Sequence, residues 1–148
     1  MITIKISTKT RYGLRVMFDL AQHSNGEPIS LSVISKRQKL PLNYLEQIML
    51  KLKKANLVIS VRGAYGGYKL NRNTDEISVK DIFDVLEGPI SLAECFVESK
   101  CGKSNYCITR LIYKEMSDKL NETIENITLE DMIKDKNEMM INDILTDL

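Results

Sequence analysis

The sequence predicts a mainly α protein with a small β wing: a winged helix-turn-helix followed by a long dimerisation helix. Three observations predict it. Apolar residues recur at helical steps over Thr8–Gln22, Leu31–Gln38 and Pro41–Ala55, giving three helices with short connections. A β-branched run and a glycine-rich turn follow at once, which is hairpin chemistry. Basic residues crowd into the same stretch. Residues 1–72 hold thirteen Lys or Arg against three acids, a charge of +10, while residues 73–148 carry −9, so the net +1 hides two unlike halves. A compact basic unit of this kind has the footprint of a polyanion binder, and the acidic half should stay off the phosphates.

In the first helix Tyr12, Leu14, Val16, Met17, Leu20 and Ala21 supply the buried face, and Asn25-Gly26 with Pro28 ends it. The second helix is short, with Ser30 placed as its N-cap. The third begins at Pro41 and directs Leu42, Leu45, Ile48, Met49 and Leu52 inward, leaving Asn43, Tyr44, Gln47, Lys51 and Lys54 facing out. Two helices joined tightly, the second with a basic and amide-bearing face, are what a helix-turn-helix requires. Leu57–Val61 and Tyr68–Leu70 then read as two strands around the turn Arg62–Gly67, which is a wing.

A linker over Asn71–Glu76 leads to a connecting helix with Val79, Ile82, Phe83, Val85 and Leu86 on its apolar face, stopped by Gly88-Pro89. A long helix is expected from Ile108 to Ile127, where Ile108, Leu111, Ile112, Met116, Leu120, Ile124 and Ile127 recur at helical steps. About 20 residues of helix span roughly 30 Å. A chain this small has little of its own to cover such a stripe, so a second copy is the expected partner. Thr128 and Asp131 can cap a short final helix. The organisation expected is therefore residues 1–72 as the DNA-binding unit, 73–94 as the connecting helix, 95–107 as a cysteine loop, 108–135 as the dimerisation and final helices, and 136–148 as a flexible acidic tail.

The 148 residues suit one ordinary domain, or a small one with an oligomerisation element. No apolar run approaches the roughly 18 residues needed to cross a bilayer, and the N-terminus lacks a secretory apolar core, so a soluble cytoplasmic protein is expected. Its three cysteines, Cys95, Cys101 and Cys107, are spaced C-x5-C-x5-C within a single window of loop composition. An odd number of thiols in a reducing compartment points to metal or redox chemistry rather than a disulfide framework. Buried cysteines acting as small hydrophobes would follow an apolar period, and these do not. Three soft ligands on one loop suit zinc or an iron–sulfur cluster.

For the third helix, Asn43 and Gln47 carry amides able to bond adenine edges, Tyr44 can meet phosphate or a thymine methyl, and Lys51 and Lys54 can meet the backbone. Glu46 is repelled by DNA unless it accepts from a cytosine amino group, which makes it a discriminator between operators or a solvated residue paired with a lysine. Arg62 in the wing can enter a narrowed minor groove. No dinucleotide fingerprint, P-loop or Cys–His nucleophile pair is present, which argues against an enzyme, including a redox enzyme using the same cysteines.

The stretches STKTRYGLRVM, LPLNYLEQIMLKLKKANLV, SVRGAYGGYKL, VLEGPISLAEC and NITLEDM, in this order, resemble the winged-helix regulator family of IscR, NsrR and CymR (the Rrf-two family) over nearly all of residues 5–135. The resemblance implies a homodimeric transcription regulator, a repressor, joined by the long helix and bound to a double-stranded DNA operator. It implies an iron–sulfur cluster, [2Fe-2S] foremost and [4Fe-4S] second, held by Cys95, Cys101 and Cys107. It also implies DNA contacts from Lys9, Arg11, Asn43, Tyr44, Glu46, Gln47, Lys51, Arg62, Gly63 and Tyr65.

The chain departs from the family at the fourth ligand. Arg110 stands where IscR-type proteins have a histidine, and Arg11 where NsrR proteins use an aspartate of the partner subunit. The single histidine, His23, lies at the far end of the first helix. Glu94, Glu98, Ser104, Thr109, a small thiol or water remain as the fourth ligand. A second reading drops the cluster: the similar CymR branch is cysteine-poor and answers to a partner enzyme, so the loop would act by thiol chemistry or protein contact.

Overall fold

A computed structural model describes residues 1, 3–23, 25–94 and 106–147. The elements run α1 (Thr8–Gln22), α2 (Leu31–Gln38), α3 (Leu42–Lys54), β1 (Val58–Val61), β2 (Gly67–Leu70), a 3-10 turn (Thr74–Glu76), α4 (Val79–Leu86), α5 (Ile108–Glu125) and α6 (Leu129–Thr146). Mostly helical, with two antiparallel strands in register Val58 to Leu70 through Val61 to Gly67, this is the expected winged architecture.

Local chemistry sets the first three helices. Ser7 and Ser30 cap α1 and α2 by accepting from the Thr10 and Val33 amides. Lys39 closes α2 in the left-handed region, with φ 54°, and turns the chain towards α3. Pro41 is the cap of α3 rather than its first residue. The apolar stripes of these helices meet in one core that includes Val16, Met17, Leu20, Ile34, Leu45, Ile48 and Leu52. Leu42 is a correction: expected inside, it is the first residue of α3 and sits 38% exposed at the end of the helix.

The core does not stop at the wing. Ile77, Ile82, Leu86 and Leu129 join it, so α4 and the start of α6 are packed against the winged unit. A methyl group added to Gly13 would lie 2.1 Å from Leu86 Cδ1, which shows how closely α1 approaches α4. The N-termini of α4 and α6 are tied back to back. The Val79 amide donates to Ile127 O at 2.8 Å and the Leu129 amide to Ile77 O at 3.0 Å. Each also carries a capping box, Ser78 with Asp81 and Thr128 with Asp131.

Two elements differ in extent from expectation. The long helix ends at Glu125, two residues short of Ile127. The final helix is not short: α6 continues through the segment expected to be a flexible acidic tail and ends at Thr146. Its cause lies in the sequence beyond Lys136, which lacks Gly and Pro and keeps Met140, Ile141, Ile144 and Leu145 at helical steps. These side chains are exposed.

A single-residue third strand completes the wing. Ile29 pairs with Tyr68, amide to carbonyl in both directions, at 2.9 and 2.8 Å. The backbones approach so closely that a Cβ on Gly67 would fall 2.2 Å from the Ile29 carbonyl oxygen. Gly67→Ala is therefore expected to destabilise the fold by about 1–3 kcal/mol, the range for forced overpacking, in urea titration. An unchanged midpoint would mean that the wing shifts freely to accommodate the methyl.

Candidate nucleic-acid interface and cysteine segment

Asn43, Glu46, Gln47, Lys51 and Lys54 are exposed along α3. Beside Lys51 lies Lys9 from the start of α1, whose positive charge holds the Lys51 ammonium below its ordinary value. Two like charges brought together in solvent form a natural seat for a phosphate. Tyr44 corrects the expectation of a free outward side chain: it is half-buried, edge-on to Tyr12 with ring centroids 5.7 Å apart. Arg11 is exposed on the first turn of α1.

Across the hairpin, Arg62, Gly63 and Tyr65 are exposed at the wing tip, with Tyr65 94% exposed. Gly63 takes φ +118°, open to glycine, and its carbonyl accepts the Gly66 amide at 3.0 Å. Lys53 Nζ donates to Ser60 Oγ at 2.6 Å, a surface contact between α3 and β1.

Beneath this surface sits a side chain that pattern reading missed. Asp19 on α1 is fully buried. Arg37 grips it bidentately, Nε to Oδ2 at 2.8 Å and Nη2 to Oδ1 at 2.5 Å, and Gln38 Nε2 donates at 2.7 Å. Burial pushes the Asp19 carboxyl up, but the hydrogen bonds from Arg37 and Gln38 with the charges of Arg37 and His23 outweigh it and hold the group below its ordinary value. Arg15 Nη2 donates to Gln38 O at 2.6 Å. These contacts tie the end of α2 to α1. The available signal was an acid lying within the apolar stripe of α1.

A second missed constellation lies at the start of α1. Thr10 is fully buried and its Oγ1 donates to Glu87 Oε2, at the end of α4, at 2.8 Å. Hydrogen bonding from Ser7, then from Thr10, with the Lys9 charge, holds the Glu87 carboxyl below its ordinary range against the opposing effect of burial. After Gly88-Pro89 the chain is pinned to α5. Asn121 accepts from the Ile90 amide at 3.1 Å and donates to Ile90 O at 2.8 Å, and Ser117 Oγ accepts from the Leu92 amide at 3.0 Å.

Cys95 and Cys101 lie outside the described residues, as do Glu98 and Ser104, while Glu94 is exposed. Cys107 is described, half-exposed at the N-cap of α5. Its Sγ lies 3.1 Å from Thr109 Oγ1. That hydroxyl first, then the Arg110 amide and charge, hold the thiol below its ordinary value despite partial burial. A thiolate-prone sulfur at a helix N-terminus is the donor class that iron–sulfur clusters take. Among the described residues no group of three or more His, Cys, Asp or Glu gathers around a common point. His23 caps α1 at its far end, Nδ1 2.9 Å from Asp19 O.

From Cys107 onward α5 is largely uncovered: Ile108, Leu111, Ile112 and Met116 are 48–69% exposed. Among the described residues no helix is long and apolar enough to cross a membrane.

Sequence and fold point to the same relatives. Residues 6–135 match the model of a family, Rrf2, described as iron-dependent transcriptional regulator. An HTH-type transcriptional regulator IscR of Pectobacterium atrosepticum is 34% identical over 140 residues, 95% of this chain and 85% of that protein. The solved structure of T. potens IscR superposes with TM-score 0.77 at 42% identity, covering 92% of this chain and 90% of that one. CymR of B. subtilis, the global cysteine regulator, superposes with TM-score 0.76 at 41% identity, covering 89% and 98%.

Proposed function

Since this chain belongs to the Rrf2 family and is a DNA-binding transcriptional regulator, we propose that it is a cytoplasmic homodimeric repressor whose Cys95, Cys101 and Cys107 hold an iron–sulfur cluster. The cluster is [2Fe-2S], with [4Fe-4S] the alternative. The observation that carries the reading is the spacing of three cysteines in one short window, the last of them at the N-cap of α5, in a chain that matches a family of iron-dependent regulators. When bound, the cluster supplies a redox-sensitive centre. The protein supplies thiolates to hold it and a surface whose DNA affinity follows its state.

Asn43, Tyr44, Glu46 and Gln47 read base edges in the major groove, with Tyr44 held by Tyr12 rather than free to search. Lys9, Lys51 and Arg11 take phosphates, and Arg62, Gly63 and Tyr65 follow the adjacent backbone and minor groove. The uncovered stripe of α5 pairs with its copy, which places two recognition helices on an operator of inverted half-sites.

The test is a visible absorption spectrum with iron and sulfide analysis on anaerobically purified wild type, beside Cys101→Ala. Charge-transfer bands with matching iron and sulfide, absent in the variant, are the expected result. Colourless wild type that still binds DNA as a dimer would overturn the cluster and leave a second reading. That reading is a regulator governed by thiol chemistry or a partner protein, and it rests on Arg110 standing where a nitrogen ligand would and on the likeness to CymR.

A further inference from the structure

Among the described residues, hydrogen bonds and short runs of chain link the stretch just before the cysteine segment to the start of α1. On the segment's near side, Ile90 and Leu92 are held to α5 through Asn121 and Ser117. Three residues before Ile90, Glu87 accepts from Thr10, and Ser7 bonds both the Thr10 hydroxyl and its amide at 3.2 Å. Thr10 is fully buried, and Lys9, next to it in sequence, is the residue set against Lys51 of α3. On the far side, Cys107 starts the same helix that carries Ser117 and Asn121.

We propose that Glu87 is a positioning residue for DNA binding: its bond to Thr10 couples movement of the strap over residues 88–92 to the first turn of α1, and so to the placement of Lys9 and Arg11 on that turn. A Cβ on Gly13, one turn further along α1, would collide with Leu86, so α1 and α4 are also closely packed beside the Thr10–Glu87 bond. The depressed Glu87 carboxyl is in keeping with this, since an ionised acceptor makes the stronger bond to a buried hydroxyl. Thr10 is buried, so the bond acts through the residues on either side of it, Lys9 and Arg11. The inference rests on the regulatory reading above and names the contact through which that regulation passes.

The experiment measures operator affinity by fluorescence anisotropy for cluster-loaded protein and for the same protein after cluster removal. Wild type, Glu87→Gln, Thr10→Val and Thr10→Ser are compared, with thermal unfolding of each. The expected result is that the ratio of the two affinities in wild type shrinks by about 2- to 30-fold in Thr10→Val, the span for residues along such a network. Glu87→Gln, which still accepts a bond but without charge, should fall between, and Thr10→Ser should restore the wild-type ratio. A purely structural role would lower the unfolding midpoint and weaken both affinities together, leaving the ratio unchanged. That pattern overturns the proposal, and if Thr10→Val does not fold, Glu87→Gln decides it alone. Wild type that carries a cluster but shows no affinity difference overturns the coupling while leaving the cluster in place. Wild type that carries no cluster overturns the regulatory reading and the coupling with it, and its lack of colour identifies that case.

Discussion

Replacing Asp19 with alanine is expected to lower the unfolding free energy by about 3 kcal/mol in urea titration at neutral pH. Removing one member of a buried ion pair generally costs about 3–5 kcal/mol because the other charge is left without its partner. The lower end applies because the Arg37 side chain is 34% exposed and can turn towards water, whereas the Asp19 carboxylate is fully enclosed. Asp19→Asn keeps an acceptor and should lose less.

The stabilisation from Asp19 also depends on pH, in a direction set by its surroundings. The folded carboxyl lies below its ordinary value, so its contribution is complete above the unfolded pKa and disappears as pH falls through the folded one. The gap between wild type and Asp19→Ala should therefore be widest at neutral pH and close in acid. A gap that stays constant down to strong acid would show that the cost is packing alone.

Raising monovalent salt from about 50 to about 200 mM is expected to cut operator affinity by about 10^3–10^5, the range for a protein that neutralises some six to ten phosphates. Residues 1–72 carry +10, so a dimer presents ample charge for that many phosphates. Lys51→Ala should weaken all DNA sequences alike and lower the salt slope by about two units, one for the phosphate lost in each subunit of the dimer. Asn43→Ala should instead relax sequence preference and leave the slope alone. A salt-insensitive affinity would place the DNA surface somewhere other than α3 and the wing.

Local signals made the winged unit legible. Apolar steps of three and four, Ser30 as a cap and the glycine turn each act within a few residues, so the sequence displays them directly. What escaped reading is long-range. Asp19 and Arg37 are 18 residues apart, Thr10 and Glu87 are 77 apart, and Ile29 pairs with Tyr68 across two helices. None of these has a period to betray it.

The candidate DNA face was legible at Asn43, Gln47 and Lys51 because polar side chains repeat on one helix surface. Tyr44 was not, since an aromatic ring serves a core and a ligand equally well. The extent of α6 is hard to read from sequence because acidic residues are interleaved with the apolar steps of Met140, Ile141, Ile144 and Leu145, which the fold leaves exposed. For the cysteines, count and spacing carried all the information, and only Cys107 lies within the described residues.

The clamps on α5 make that helix a cantilever. Its root is fixed twice, by Asn121 and Ser117 to the strap and by the joined helix starts at Ser78 and Thr128. Beyond Ser117 the beam runs on, its apolar side exposed in the single chain and free to meet a second copy, with Cys107 at the tip. From Asn121 to that tip is about 20 Å of helix, so a tilt of only about 5° at the root displaces the sulfur by roughly 2 Å. The same leverage works in reverse: a modest pull at the tip arrives at the root as torque on Ile90 and Leu92, close to where Glu87 holds the first helix.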